Sequence, residues 1–376
     1  MDRLKVAVLG STGFLGNQIL EVISEQADFE LVLLSGFTNQ TKLLEQINRY
    51  QPKFAYFPSA LVSPPSTQII ANDSQLEEIL LGGEVEGVFF AVAGVDFLPL
   101  FTKLIATSKP LWMASKEILI LAGEVQNLSL EKNKNLYPLD SEHHALWKML
   151  RWLPRSSVDC LYLTASGGPF YEWEGNLNDI TPEMALSHPN WQMGAKITVD
   201  SATLVNKGLE MIEASYIFGM DLDMIDVIVQ KESIIHALIG LKDGSLTALL
   251  SLPDMRSVIS DFMPSNKPIF SQPVNFSQIK SLNFDYPVSS KFTGFYLARE
   301  VAKKRAGYPT YFCGADEACV RAFLERKIFL GEIPSVLEGT LEKEIPSPNT
   351  IEEVQEVYYL GFNRASQLIK QRSISW

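Results

Sequence analysis

Residues 188–215, HPNWQMGAKITVDSATLVNKGLEMIEAS, contain one of only four histidines, His188, followed by a helical pattern that carries Asn206, Lys207 and Glu210. Spacings of three and four place those side chains on one helix face, which then offers an amide, a cation and a carboxylate. Leu204, Val205, Leu209, Ile212 and Ile217 fill most of the remainder and can pack, with Asp200 or Ser201 as the expected helix cap. Such a face reads either as a solvated ion pair or as a binding surface. Asp140 and Glu142 supply a second set of oxygens, two apart after the apolar Tyr137-Pro138-Leu139. In an extended segment both carboxylates point the same way, which is costly unless a cation lies between them. Oxygen ligands suit Mg²⁺ or Mn²⁺, and the few thiols give no soft zinc site. The same pair also reads as an acidic helix start, Asp140 capping and Glu142 near the positive end of the dipole. The two readings are compatible. His143 and His144 read as helix-face residues and are not assigned to a metal.

The elements that must position these groups come earlier in the chain. An apolar run at 5–9 leads into Gly10-Ser11-Thr12-Gly13-Phe14-Leu15-Gly16, followed by helical spacing of Ile19, Leu20 and Ile23. Strand, glycine turn and helix in that order open a dinucleotide-binding unit, where backbone approaches a pyrophosphate and a helix start donates amides. The pattern is GxxGxxG, and a glycine-rich turn without a ligand is the alternative. After the next strand, at 29–34, Phe37-Thr38-Asn39 provide neither the acid of an NAD site nor the base of an NADP site. The missing acid favours the phosphorylated cofactor, because small polar side chains donate to a phosphate without repelling it. Strand patterns at 54–57, 87–92 and 110–114 alternate with helical ones at 76–81 and 97–107, which predicts a mostly parallel, doubly wound sheet. Ala91 and Ser115-Lys116-Glu117 then fall at strand ends, where ligands of such sheets lie; Lys116 reads equally as a solvated loop residue. Ser166-Gly167-Gly168 follow a strand pattern at 161–164 and make a phosphate cradle. Strands at 227–229 and 246–250, the latter behind an Asp243-Gly244 hairpin turn, belong to another sheet. Prolines gather from 263 to 289 as in a linker, and helical patterns occupy 295–306, 315–326, 333–341 and 351–371.

A chain of 376 residues is expected to form two or three domains. The formal net charge of −12 argues against a nucleic-acid or anionic-membrane surface. An anionic substrate therefore needs a local cluster of cations and amides. Cys160, Cys313 and Cys319 are too few and too scattered for a disulfide framework, so a reducing, cytoplasmic home is expected. The start MDRLKVAVLG shows no leader pattern. The apolar stretch at 85–100 is broken by Glu86, Gly94 and Asp96, so no membrane span is expected.

Seven segments carry a resemblance: GSTGFLG at 10–16, ASKE at 114–117, LDSEH at 139–143, TASGGPF at 164–170, HPNWQMG at 188–194, VDSATLVNKGLE at 199–210 and LPDMR at 252–256. In this order they strongly resemble 1-deoxy-D-xylulose 5-phosphate reductoisomerases, over residues 3 to about 330. The resemblance implies an α/β protein with an N-terminal Rossmann-like doubly wound domain, a central α+β catalytic domain and a C-terminal helical bundle, usually dimeric. The expected boundaries are 1–145 for the NADPH domain, 146–265 for the catalytic domain with a lid near 185–195, 266–291 for a linker and 292–376 for the helical domain. It implies conversion of 1-deoxy-D-xylulose 5-phosphate to 2-C-methyl-D-erythritol 4-phosphate, an early step of non-mevalonate isoprenoid synthesis, with NADPH and Mg²⁺ or Mn²⁺.

By the same resemblance Asp140, Glu142 and Glu210 are the metal carboxylates, and Ser166, Ser201, Asn206 and Lys207 bind the substrate phosphate. His188, Trp191 and Met193 match the lid, while Lys116 and Ser141 lie around the reacting carbonyl and hydroxyls. Lys116, Glu142 and His188 are the implied catalytic residues. Gly10, Ser11, Thr12, Gly13, Phe14, Leu15, Gly36, Thr38, Asn39, Ala91, Ser115, Lys116, Glu117, Gly194 and Met255 are the implied cofactor contacts. Three departures stand out: Phe37-Thr38-Asn39 where the family often has a base and Asn, Ser115 in place of an Asn, and Gln230-Lys231-Glu232-Ser233 in place of H-P-Q-S. Two other readings remain, an NAD(P)-dependent oxidoreductase of this fold acting on another phosphorylated sugar and a non-catalytic NADP sensor. Intact Asp140, Glu142, Glu210, Lys116 and His188 speak against the sensor.

Overall fold

The computed structural model describes residues 3–59, 61, 64–187, 193–262, 272–341 and 344–372. Two compact units result: Met1–Ser115 with Asn133–His144 and Asp254–Pro273, and Lys116–Lys132 with Ala145–Pro253 and Val274–Trp376.

Seven strands build the first unit: β1 (Leu4–Leu9), β2 (Phe29–Ser35), β3 (Phe54–Tyr56), β4 (Gln68–Ile70), β5 (Gly87–Phe90), β6 (Leu111–Met113) and β7 (Leu136–Pro138). They lie in the order β4-β3-β2-β1-β5-β6-β7, all parallel. The helices that begin before residue 150 are α1 (Phe14–Ser24), α2 (Gln40–Tyr50), α3 (Asp73–Leu81), α4 (Leu98–Ile105), α5 (Lys116–Gly123) and α6 (Ser141–Leu150). Parallel strands are buried on both faces, which is why Val6, Val8, Val88, Phe89 and Phe90 form unbroken apolar runs and are fully buried. Val6, Val8, Ile19, Leu20, Ile23, Phe89 and Trp112 share one core, each large side chain contributing about 1.5–3 kcal/mol. Trp112 stacks on Phe89 at 4.3 Å. Strand order reverses at β1, between β2 and β5, so the ligand crevice of this sheet lies beyond the carboxyl ends of β1 and β5. The edges β4 and β7 are three residues each.

The second unit holds a mixed sheet in the order β11-β10-β8-β9, from β8 (Val158–Ala165), β9 (Ile225–Val229), β10 (Ile235–Leu241) and β11 (Leu246–Leu250). Only β8 and β9 run parallel. Gly244, with φ of 85°, closes the expected hairpin turn between β10 and β11. The later helices are α7 (Pro182–Ala185), α8 (Ala195–Thr203), α9 (Val205–Ile217), α10 (Met255–Asp261), α11 (Thr293–Lys304), α12 (Tyr308–Leu324), α13 (Ile333–Thr340) and α14 (Ile351–Lys370). Of these, α10 belongs to the first unit and packs beside α1.

One helix boundary corrects the sequence reading. Asp200 and Ser201 do not cap a helix; both lie inside α8, which starts at Ala195 behind Gly194. Leu204 breaks the chain with a left-handed φ of 56°, and α9 starts directly after it. A single left-handed residue ends one helix and redirects the next. The Asp200 carboxylate bonds Lys196 one turn back rather than a helix-start amide. In the proline-rich stretch, residues 263–271 lie outside the described part. Beyond it, Asp285 exchanges backbone bonds of 2.7 and 3.0 Å with Val229 at the edge of β9. Glu232 serves this contact, its carboxylate accepting from the Asn283 amide at 2.6 Å, while Lys231 pairs with Glu172 at 2.9 Å.

Candidate active site

At the end of β1 the chain turns through Gly10, whose φ is 77° and whose Cβ position would lie 2.3 Å from the Ala91 carbonyl oxygen just past β5. Only a residue without a side chain fits there. Gly16 meets the same turn from α1, where a Cβ would sit 2.2 Å from the Gly10 oxygen, so the helix start is drawn tightly onto the turn. Gly13 is the exposed N-cap residue and no side chain caps the helix. A polar ligand at that end would meet backbone amides directly. Gly36 closes over Thr12, with a Cβ position 3.2 Å from its methyl. Ser11, by contrast, faces inward. Its hydroxyl bonds the Ser35 carbonyl at 3.0 Å and the Gln46 amide oxygen at 2.7 Å, so it shapes the turn from within. Asn39 caps α2 by accepting from the Lys42 amide, and Phe37 packs edge-on against Phe97 at 4.7 Å and against Tyr56 at 5.4 Å. Met255 begins α10 behind the Asp254 cap, partly buried against the core that holds α1.

In the same unit β7 runs into α6, and the two candidate metal carboxylates flank the junction. Asp140 is at the cap position, its carboxylate 3.3 Å from the Glu142 amide, and Glu142 lies in the first turn. The segment is a helix start, so the extended geometry expected for the pair is not the one found. Ser141 donates to Glu142 at 2.6 Å. His143 is wholly buried with Nδ1 3.4 Å from the Asp140 carboxylate. His144 pairs with Asp261 of α10 at 2.9 Å.

In the second unit α9 is buried almost all round, and its polar residues are interior groups rather than a solvated face. Asn206, Lys207 and Glu210 are 7, 7 and 1 % exposed. Lys207 pairs with Glu210 at 2.6 Å. Lys116, in the first turn of α5 and 5 % exposed, reaches the other Glu210 oxygen at 3.0 Å and also donates to the Asn206 side-chain oxygen. Asn206 in turn donates to Glu210. Burying one carboxylate with two ammonium groups costs desolvation that only close pairing repays. The result is an interior cluster in which two ammonium groups hold one carboxylate. Ser166-Gly167-Gly168 lie at the end of β8, Gly167 and Gly168 with φ of 87° and 71°. A Cβ on Gly168 would come 2.4 Å from the Ser201 carbonyl oxygen, so the cradle and the end of α8 are in contact. Leu204 gives α9 no side-chain cap, which leaves a helix start beside Asn206 and Lys207 suited to an anion.

Family models cover most of the chain: 1-deoxy-D-xylulose 5-phosphate reductoisomerase over residues 6–123, its C-terminal domain over 136–218, and the DXP reductoisomerase C-terminal domain over 250–359. The chain belongs to the 1-deoxy-D-xylulose 5-phosphate reductoisomerase family. It is 36 % identical over 362 residues to the reductoisomerase of Lachnospira eligens, covering 93 % of this chain and 95 % of that one. It is 37 % identical over 377 residues to that of a Sulfurihydrogenibium species, covering 98 % and 99 %. Among solved structures, the Zymomonas mobilis reductoisomerase in complex with NADPH superposes with a TM-score of 0.84 at 28 % identity, covering 99 % of this chain and all of that one. A reductoisomerase complex with NADPH, fosmidomycin and magnesium gives 0.83 at 27 %, covering 98 % of each.

Within this reductoisomerase fold, Gly10, Thr12, Gly13, Phe14, Leu15, Gly36 and Ala91 gather at the reversal point of the first sheet, and Lys116, Asn206, Lys207 and Glu210 form the interior cluster of the second unit. Ser166 and Ser201 meet through Gly168. His188 and Trp191 lie outside the described residues, whereas Met193 and Gly194 precede α8. Ser115 is buried at the end of β6. The sequence reading missed Gln46, which braces the glycine turn by donating to the Ser11 carbonyl at 2.8 Å and to Asn17 at 2.9 Å. It also missed the charges that surround Lys196. A lone Gln on an amphipathic helix and a Lys-Asp spacing of four carry no signal that separates such roles from an ordinary surface.

Proposed function

We propose that this chain carries out the NADPH- and divalent-metal-dependent isomerisation and reduction of 1-deoxy-D-xylulose 5-phosphate to 2-C-methyl-D-erythritol 4-phosphate. The observation that carries the reading is the buried cluster of Lys116, Asn206, Lys207 and Glu210, which has no use as a surface ion pair and suits a small anionic sugar. The residues present fit the cofactor, because the uncapped start of α1 and the bare Gly13 leave room for a pyrophosphate. For a hard divalent ion Asp140, Glu142 and Glu210 would be the ligands, all three offering the oxygen donors such an ion takes. A bound divalent ion supplies polarisation of the substrate carbonyl and acidification of a chelated hydroxyl, and NADPH supplies the hydride.

The chain's own groups do the rest. Ser166, Ser201, Asn206 and Lys207 take the phosphate, a remote handle whose binding energy orients the reacting end. Lys116 lies one hydrogen bond from both Asn206 and Glu210, so it places positive charge where oxyanion character develops. Ser141 lies at the substrate hydroxyls, beside the Glu142 carboxylate to which it donates. His188 and Trp191 are proposed to cover the substrate and keep water from the aldehyde formed before reduction. The test is an assay with 1-deoxy-D-xylulose 5-phosphate, NADPH and Mg²⁺ or Mn²⁺. Turnover that stops on chelation and returns with metal supports the reading; cofactor binding without turnover of this sugar would reassign the chain to a paralogous activity.

The protein is further proposed to be a cytoplasmic homodimer. Cys160, Cys313 and Cys319 are free thiols, and among the described residues no helix is long and apolar enough to cross a membrane. Phe276, Phe284, Tyr286 and Val288 are at least half exposed on one stretch beside β9, an apolar surface of the kind that partners cover. Light scattering should return twice the 42.0 kDa chain mass; a monomer at all concentrations would refute the pairing.

A further inference from the structure

Lys196, in the first turn of α8, is surrounded by three carboxylates from three helices. Its ammonium lies 2.6 Å from Asp200 on its own helix, 2.7 Å from Asp316 on α12 and 3.3 Å from Glu117 on α5. The Asp200 and Asp316 side chains are each 1 % exposed. Each leaves one buried oxygen, Oδ1, without a hydrogen-bond partner among the described residues. Two buried acids and a third, partly buried one around a single base are a poor way to stabilise helix packing, since apolar residues of similar volume would do it at lower cost. The arrangement does fix geometry. Glu117 is the neighbour of Lys116, so the first turn of α5 faces two ways: Lys116 to Asn206 and Glu210 on α9, Glu117 to Lys196 on α8. Asp200 is the neighbour of Ser201. Between α8 and α9 the chain turns at the single left-handed residue Leu204, a joint about which α8 would pivot if nothing held its first turn.

We propose that Asp316, acting through Lys196, is a positioning residue for the sugar-phosphate site: it holds α8 so that Ser201 keeps its place relative to Lys116. The inference rests on the reading of Ser201 as a phosphate ligand and Lys116 as a group at the reacting end. It assigns the C-terminal helices a part in the reaction although none of the proposed ligands lies on them. The electrostatics agree. Burial works against the charge on Lys196, but Asp200, Asp316 and Glu117 outweigh it and hold the ammonium charged. Burial raises the pKa of Asp316, only partly opposed by Lys196, and Asp200 is raised by burial and by Asp316.

The test is Asp316→Ala, with Asp316→Asn as the conservative variant, in the full-length protein. Removing one of three carboxylates leaves Lys196 two partners, so the fold is expected to survive. The Ala variant should raise KM for 1-deoxy-D-xylulose 5-phosphate by about tenfold, with NADPH affinity within about twofold of wild type. The Asn variant keeps an acceptor for Lys196 and should stay within about threefold. A lowered melting temperature with KM unchanged makes Asp316 merely structural and overturns the proposal, as does an equal loss of NADPH binding. If the Ala variant does not fold, Asp316→Leu, which fills the space, is read by the same criteria. Wild-type turnover is measured first: its absence removes the functional reading itself, whereas wild-type turnover with an unaltered variant KM removes only this inference.

Discussion

Gly10 and Gly13 lie three residues apart in one turn, yet alanine at each should do different damage. At Gly10 the backbone has φ of 77° and a Cβ would lie 2.3 Å from the Ala91 oxygen. A left-handed Ala costs about 1–2 kcal/mol, and forcing a methyl into a closed space costs about 1–3 kcal/mol more. The sum, about 2–5 kcal/mol, is a large part of the stability of a typical domain, about 5–15 kcal/mol. A melting temperature lower by about 5–15 °C follows. At Gly13 the backbone is extended, φ −71° and ψ 172°, and the nearest obstacle to a Cβ is the Gly10 oxygen at 3.2 Å. Alanine loses about 0.5–1 kcal/mol as a helix cap and regains about 0.4–1 kcal/mol by restricting the unfolded chain, so stability should hardly move. The new methyl instead stands over the exposed start of α1, where the pyrophosphate is proposed to lie. NADPH affinity should fall by at least about tenfold, equivalent to about 1.4 kcal/mol. Denaturant unfolding and NADPH fluorescence titration read the two quantities separately. A Gly13→Ala protein that binds NADPH like wild type would refute the placement of the cofactor, and a Gly10→Ala protein of unchanged stability would refute the strain argument.

Two further predictions concern single carboxylates. Glu210→Gln should abolish turnover while NADPH affinity stays within about twofold; parallel loss of cofactor binding would deny Glu210 its place at the metal. Burial raises the pKa of Glu124 above its ordinary 4.5, against the smaller opposing effects of the Gly307 amide and the Tyr216 hydroxyl that it accepts from. A raised folded-state pKa gives stability that is complete below 4.5 and lost as pH rises through the folded value. Glu124→Gln should therefore flatten the decline of unfolding free energy above that pH, and curves that stay parallel to wild type would contradict the assignment.

Much of the fold was legible because its signals are local. The turn at 10–16 carries its glycines where backbone must approach backbone, and the unbroken apolar runs of β1 and β5 announce strands buried on both faces. Helix spacing alone put Asn206, Lys207 and Glu210 on one side of α9. The edges β4 and β7 were not legible: each is three residues long and pairs with a single neighbour, whereas the equally short β3 and β6 lie inside the sheet and show as apolar runs. Nor was the break at Leu204: a leucine with positive φ is unfavourable by itself and exists because α8 and α9 are each held elsewhere.

The sequence by itself determined the family, the order of the elements and the chemical types at the site, because residue spacing fixes which side chains share a turn or a face. Only the tertiary structure decided that Lys116, Lys207 and Glu210 are interior groups, that Ser11 turns inward to Gln46, and that Asp316 reaches Lys196 across 120 residues of chain. Burial and partner choice depend on what other segments bring to the same place, and no local pattern in the chain records that.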